Sequence, residues 1–121
     1  MALRVYKCNE CGKTLISKAA AENDCLKGWT ELVAGSMDAA VEKHVPVLVR
    51  EGNLLKVDVG SVAHPMTAEH LIEWVAVETN EGYKVEYLDA GKAPVAVFVI
   101  NDGETVEGVY AYCNLHGLWK A

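Results

Sequence analysis

The chain reads as an all-β sandwich or barrel preceded by a small cysteine-bearing module. Three observations carry this. From residue 46 onward, short runs of alternating or continuous apolar residues recur, each closed by glycine, asparagine or aspartate turn residues. No stretch sustains a long helical period. The first 35 residues differ in character and hold three of the four cysteines.

Residues 1–35 form the first expected domain and 36–121 the second. In the first, Val5-Tyr6-Lys7-Cys8-Asn9-Glu10-Cys11-Gly12-Lys13 is a metal-knuckle pattern. Its two-residue spacer lets successive backbone N–H groups turn toward both sulfurs, and Gly12 relieves the turn. A tetrahedral site needs a second pair, but only Cys25 follows. Two readings stand: a three-cysteine zinc site, with Asp24 as an oxygen donor, or a knuckle that folds without metal. Ala19-Ala20-Ala21 between the cysteines reads as a linker.

In the second domain, residues 36–44 suit a helical turn capped by Ser36 or Asp38, ended by Val45-Pro46. Strands are expected at 47–50 and 54–59, joined by Glu51-Gly52-Asn53. His64-Pro65-Met66 breaks the pattern, and Thr67-Ala68-Glu69 turns the chain. Residues 70–79 alternate, with Ile72, Trp74 and Ala76 on one face and Leu71, Val75 and Val77 on the other. Asn80-Glu81-Gly82 leads into 83–88, and Asp89-Ala90-Gly91-Lys92 turns again. Residues 95–100 are almost continuously apolar, which predicts a central strand. Asn101-Asp102-Gly103 is a hairpin signal before the strand 105–112. The last ten residues begin as a tight loop, marked by Asn114 and Gly117.

Composition narrows the function classes. A hydrophobic fraction of 51% supports a packed core, and a net charge of −6 argues against non-specific nucleic-acid binding. The same net charge means that an anionic substrate must be drawn by local charge. No run approaches the roughly 20 apolar residues of a membrane span. The N-terminus lacks an apolar leader region, which points to the cytoplasm, where cysteines serve as thiols or metal ligands rather than bridges.

The chemistry gathers at the C-terminus. Cys113 and His116 stand three positions apart at the end of an expected buried strand, so one ion can meet both. The chain's other histidines, His44, His64 and His70, each sit at a break between β-elements. Imidazole suits iron, copper and zinc, and a thiolate adds a strong electron donor. Five donors exceed a closed tetrahedral zinc site. They fit a square-pyramidal iron with imidazoles in plane, the thiolate axial and the opposite position open. An axial thiolate pushes electron density toward whatever binds there. Beside His44, Lys43 would attract a small anion and orient a proton-delivering water, and Glu42 would reach the vacant position in the ferric state.

At these residues the sequence resembles the superoxide reductases of the desulfoferrodoxin and neelaredoxin family. The matching motifs are Glu42-Lys43-His44-Val45-Pro46-Val47, His64-Pro65-Met66 through His70, Ile72-Glu73-Trp74, and Tyr112-Cys113-Asn114-Leu115-His116-Gly117-Leu118-Trp119-Lys120, in the family's order across residues 36–121. The resemblance implies an immunoglobulin-like seven-stranded sandwich. It implies a mononuclear iron, cycling between the ferrous and ferric states, on His44, His64, His70, His116 and Cys113. Lys43 would draw in and orient superoxide, and Glu42 would ligate the oxidised resting iron. The implied reaction is one-electron reduction of superoxide to hydrogen peroxide without evolving oxygen. A rubredoxin-like donor would re-reduce the iron, and the implied assembly is a homodimer or homotetramer in the cytoplasm.

Residues 1–35 resemble the family's rubredoxin-like desulforedoxin module, which presents a cysteine pair and then two adjacent cysteines. Here Cys8 and Cys11 match, but the adjacent pair is reduced to Cys25, with Leu26 or Asp24 in the other place. The expectation is a degenerate module and a single, catalytic iron. Two rival classes remain: a blue-copper electron carrier, and a non-enzymatic β-sandwich binding module with structural zinc at the knuckle. The carrier uses two histidines, a cysteine and usually an axial methionine. No methionine follows His116, and the upstream histidines are too many.

Overall fold

The structure is a computed structural model that describes residues 2–18 and 26–121. Cys25, Asp24 and the 19–21 alanines lie outside the described residues. The chain divides into two compact units, Met1–Val33 and Ala34–Ala121.

In the first unit, β1 (Arg4–Cys8) is flanked by β2 (Thr14–Ser17) and β3 (Trp29–Glu31), both antiparallel to it. Leu3, Val5 and Tyr6 are buried. The β1–β2 hairpin encloses the knuckle. Cys8 N–H donates to Lys13 O at 2.8 Å, and Gly12 N–H donates to Cys8 O at 3.0 Å. Gly12 takes φ +75°, the left-handed conformation in which a side chain would be strained.

The second unit begins with one helical turn, α1 (Val41–His44), followed by seven strands: β4 (Pro46–Glu51), β5 (Leu54–Val59), β6 (Ile72–Thr79), β7 (Gly82–Tyr87), β8 (Val95–Val99), β9 (Val106–Cys113) and β10 (Gly117–Lys120). They form two antiparallel sheets ordered β4-β5-β8 and β10-β9-β6-β7. The expected all-β, seven-stranded sandwich is the fold found. Its core joins Leu55, Val57, Val59, Ala96 and Phe98 of one sheet to Ile72, Val75, Val77, Val109, Ala111 and Cys113 of the other. Period-two alternation explains which residues these are: the core residues within β5, β8 and β9 are two apart. Cys113 closes that series, so its thiol lies where the hydrophobic core meets the loops.

Four local expectations need correction. Ile72 shares the core face with Val75 and Val77, not with Trp74 and Ala76, because a β-bulge between Ile72 and Trp74 shifts the register against β9. Strand β8 is an edge strand paired only with β5, not a central one. Ala96 and Phe98 face the core, whereas Val97 and Val99 are 52% and 58% exposed. The run is continuously apolar because valines on the outer face alternate with Ala96 and Phe98 on the inner. Asn101-Asp102-Gly103 does not close a hairpin, because β8 and β9 belong to different sheets. The turn carries the chain between them and is locked by Glu104, which accepts from Thr79 Oγ1 at 2.6 Å, Asn101 N–H at 2.9 Å and Lys84 Nζ at 3.0 Å. Finally, α1 starts at Val41 with Ala40 as an extended N-cap and no side-chain cap, so neither Ser36 nor Asp38 caps it.

Candidate metal centre

Five side chains converge at one end of the sandwich. His44 ends α1, His64 and His70 lie on the β5–β6 connection, Cys113 ends β9, and His116 sits in the three-residue loop between Cys113 and Gly117 that joins β9 to β10. Gly117 makes that tight loop possible at φ +79°.

The four imidazoles form a closed ring. Adjacent centroids lie 4.7 Å (His44–His64), 4.6 Å (His64–His70), 5.1 Å (His70–His116) and 5.0 Å (His116–His44) apart. Adjacent rings stand at 73° to 89° to each other, like the blades of a propeller. The ligand atoms offered by His44, His64, His70 and Cys113 all lie within 4.8 Å of one another. His116 Nδ1 is 3.2 Å from His44 Nε2 and 3.9 Å from Cys113 Sγ.

The outward nitrogens fix which inward nitrogen is available. His44 Nδ1 is 2.6 Å from Ala40 O, and His64 Nδ1 is 2.6 Å from Pro65 O. A carbonyl only accepts, so each Nδ1 carries a proton, and each neutral ring turns an unprotonated Nε2 inward. Those two Nε2 atoms are nevertheless only 3.2 Å apart. His70 Nε2 is buried with no hydrogen-bond partner among the described residues. Converging lone pairs and an orphaned buried nitrogen cost free energy unless a cation lies between them. Imidazole–metal bonds of about 2.0–2.1 Å at right angles would separate the nitrogens by roughly 3 Å. The donor set therefore fits a first-row transition ion.

Electrostatics prepares the same state. Burial pushes His64 down to about 4, with the other three imidazoles adding to the fall. Burial likewise lowers His44 and His70. All three shifts favour the neutral form that a metal ligand requires. Burial raises the Cys113 thiol, partly offset by the backbone N–H groups of Leu115 and His116. Metal binding would thus release a proton from Cys113.

Other residues hold the donors in place. Asn114 Oδ1 accepts from Leu71 N–H at 3.0 Å, and its Nδ2 donates to Glu69 O at 2.9 Å. One side chain thereby staples the His70 loop to the Cys113 loop. Trp119 stacks on His44 at 4.9 Å and 28°, while its Nε1–H donates to His116 O at 3.0 Å. The sequence shows Asn114 only as a turn marker and Trp119 only as an aromatic. Their roles depend on contacts that only the fold creates.

Glu42 and Lys43 are exposed on α1, immediately before buried His44. The charge of Lys43 acts on both His44 and His70. Their turn is held by Val62 N–H donating to Glu42 O at 2.9 Å. In the first unit, Cys11 N–H reaches Cys8 Sγ at 3.4 Å. Cys25, the third cysteine expected there, is outside the described residues.

Comparison with known proteins agrees in extent and kind. The desulfoferrodoxin family model matches residues 36–121. A desulfoferrodoxin of Clostridium acetobutylicum is 47% identical over 122 residues, covering 98% of this chain and 95% of that protein. One from Nitratidesulfovibrio vulgaris is 41% identical over 120 residues, covering 97% and 94%. The crystal structure of the superoxide reductase from Treponema pallidum superposes with a TM-score of 0.80 at 38% identity, covering 88% of this chain and 92% of that one. With a family match across the entire sandwich and near full-length relatives, the chain belongs to the desulfoferrodoxin family.

Proposed function

We propose that the chain is a superoxide reductase, using an iron held by His44, His64, His70, His116 and Cys113. The observation that carries this reading is the closed ring of four imidazoles, two of them turning an unprotonated Nε2 inward, beside a buried thiol. Four imidazoles exceed the two of a blue-copper site, which favours iron over the copper reading. Bound there, iron supplies a one-electron couple made more electron-rich by the thiolate.

The chain's own residues do the rest. Lys43 draws superoxide toward the ring, because its exposed ammonium acts on His44 and His70. It also orients the water that delivers a proton. Glu42, on the same turn, keeps other ligands off that face in the resting enzyme. One superoxide takes one electron and two protons and leaves as hydrogen peroxide. A rubredoxin-like protein restores the electron. We place the enzyme in the cytoplasm as a homodimer or homotetramer, with residues 1–35 a degenerate desulforedoxin-like module that holds no second iron.

The test is Cys113→Ser. Iron content, thiolate-to-iron absorption and reductant-dependent superoxide consumption should all fall while the far-ultraviolet circular dichroism stays unchanged. Oxygen release during turnover by the parent chain, or full activity in the variant, would overturn the reading.

A further inference from the structure

The knuckle of the first unit has chemistry of its own. Cys8 is half-buried at the end of β1, and Cys11 is exposed three residues on. Both open onto a cleft of about 600 Å³ that is also lined by Asn9, Glu10 and Thr30. The loop is pinned from outside: Asn9 N–H donates to Gly28 O at 2.8 Å, and Thr30 Oγ1 donates to Asn9 Oδ1 at 2.6 Å. Cys11 N–H lies 3.4 Å from Cys8 Sγ. The Cys8 thiol is lowered by the Cys11 amide first, then by the Cys11 thiol and the Glu10 amide.

This arrangement stabilises a thiolate next to a second thiol, the requirement for thiol–disulfide chemistry. As a metal site, the described part of this loop offers two sulfurs. Among the described residues, the one gathering of three or more histidine, cysteine or acidic ligands is that of His44, His64, His70 and Cys113. Two sulfurs are half of a tetrahedral set.

We propose that Cys8 and Cys11 are a reversible dithiol–disulfide couple oxidised by hydrogen peroxide. The Cys8 thiolate attacks one peroxide oxygen. An S–O bond forms, the O–O bond breaks, and the leaving hydroxide takes a proton to become water. The Cys11 thiol then attacks the Cys8 sulfur. The S–S bond forms, the S–O bond breaks, and a second water leaves. Two thiols lose two electrons in all, and one peroxide gains them. An external dithiol reverses the step by exchange. The peroxide is the product of the reaction proposed above, and only this supply rests on that reading.

The experiment treats the oxidised, iron-loaded full chain with one equivalent of hydrogen peroxide, alkylates free thiols, and maps tryptic peptides. Cleavage after Lys7 and Lys13 leaves both cysteines on one peptide, Cys8–Lys13. That peptide should lose two hydrogens and resist alkylation, and dithiothreitol should restore it. In Cys11→Ser, a dimedone adduct should appear on Cys8. The proposal fails if both thiols remain alkylatable after peroxide, or if the bridge runs to Cys25. It also fails if the parent chain carries a metal ion that Cys8→Ser/Cys11→Ser loses. Because peroxide is added directly, a silent pair refutes the couple even where superoxide is reduced, and an inactive iron site leaves the couple testable.

Discussion

Gly60 is the hinge on which the position of α1 rests, and Gly60→Ala tests this. Gly60 holds φ +86°, and an added Cβ would lie 2.4 Å from Val62 O, 2.6 Å from Glu42 O and 2.7 Å from Lys43 Cα. All three are backbone atoms, so no side chain can swing away. The left-handed conformation costs alanine about 1–2 kcal/mol. Overpacking adds about 1–3 kcal/mol, and reduced freedom of the unfolded chain returns about 0.4–1 kcal/mol. The net is a loss of roughly 1–5 kcal/mol, a large share of the typical 5–15 kcal/mol for a domain. To regain ordinary contact, Glu42 O must retreat by about 0.8 Å, and His44, two residues on, moves with it. Thermal unfolding should show Tm lowered by roughly 3–20 °C. Competition with a chelator should show faster iron loss than from the parent. A Tm within about 1 °C of the parent together with unchanged iron retention would refute the reasoning.

Other expectations follow from the same geometry. Asn114→Ala removes the staple between Leu71 N–H and Glu69 O and should cost about 1–3 kcal/mol in denaturant unfolding, with weaker iron retention. Equal stability would mean that the two loops hold their places unaided. Lys43→Ala should lower the second-order rate with superoxide about tenfold at low salt, flatten its ionic-strength dependence and leave iron content intact. An unaltered rate and salt slope in pulse radiolysis would exclude Lys43 from steering. Glu104 is held down to about 2, first by Thr79, then by the Asn101 amide and Lys84. A depressed carboxyl contributes stability that is fully present above the unfolded value, near 4.5, and is lost as pH falls through about 2. Glu104→Gln should therefore lower Tm at neutral pH, and the gap to the parent should close as pH falls through that window. A gap that stays constant between pH 7 and 3 would show that the carboxylate is not the source.

How much of this could be read from the sequence depends on range. The hairpins at Gly52-Asn53 and Asn80-Glu81 were legible because turn chemistry is local. The histidines and Cys113 stood out because each interrupts a β-pattern. Strand β10 was hidden: Gly117-Leu118-Trp119-Lys120 is too short to alternate visibly, and it exists because it pairs with β9. The edge position of β8 was hidden for the opposite reason, since apolar residues on an exposed face look like those of a buried one. The choice of ring nitrogen required the carbonyls of Ala40 and Pro65, which no spacing rule supplies. The staple made by Asn114 spans 43 residues to Leu71, a separation at which sequence carries no signal of contact.

The net charge of −6 opposes an anionic substrate at long range, yet the site has its own polarity. At physiological ionic strength the screening length is about 8 Å, so acidic groups farther from the ring than that are largely silent. Three nearby charges remain. Lys43 acts on His44 and His70, Glu42 acts on His44, and Glu73 acts on Cys113 and Tyr112. Burial lowers His44, His64 and His70 and so disfavours their charged forms. An approaching anion therefore meets the Lys43 ammonium together with Glu42 beside α1, and Glu73 alone toward the thiol. Entry over the ring beside α1 is the less repelled route, and the turn fixed by Gly60 matters because the same backbone segment sets one donor, His44, and the nearby cation, Lys43.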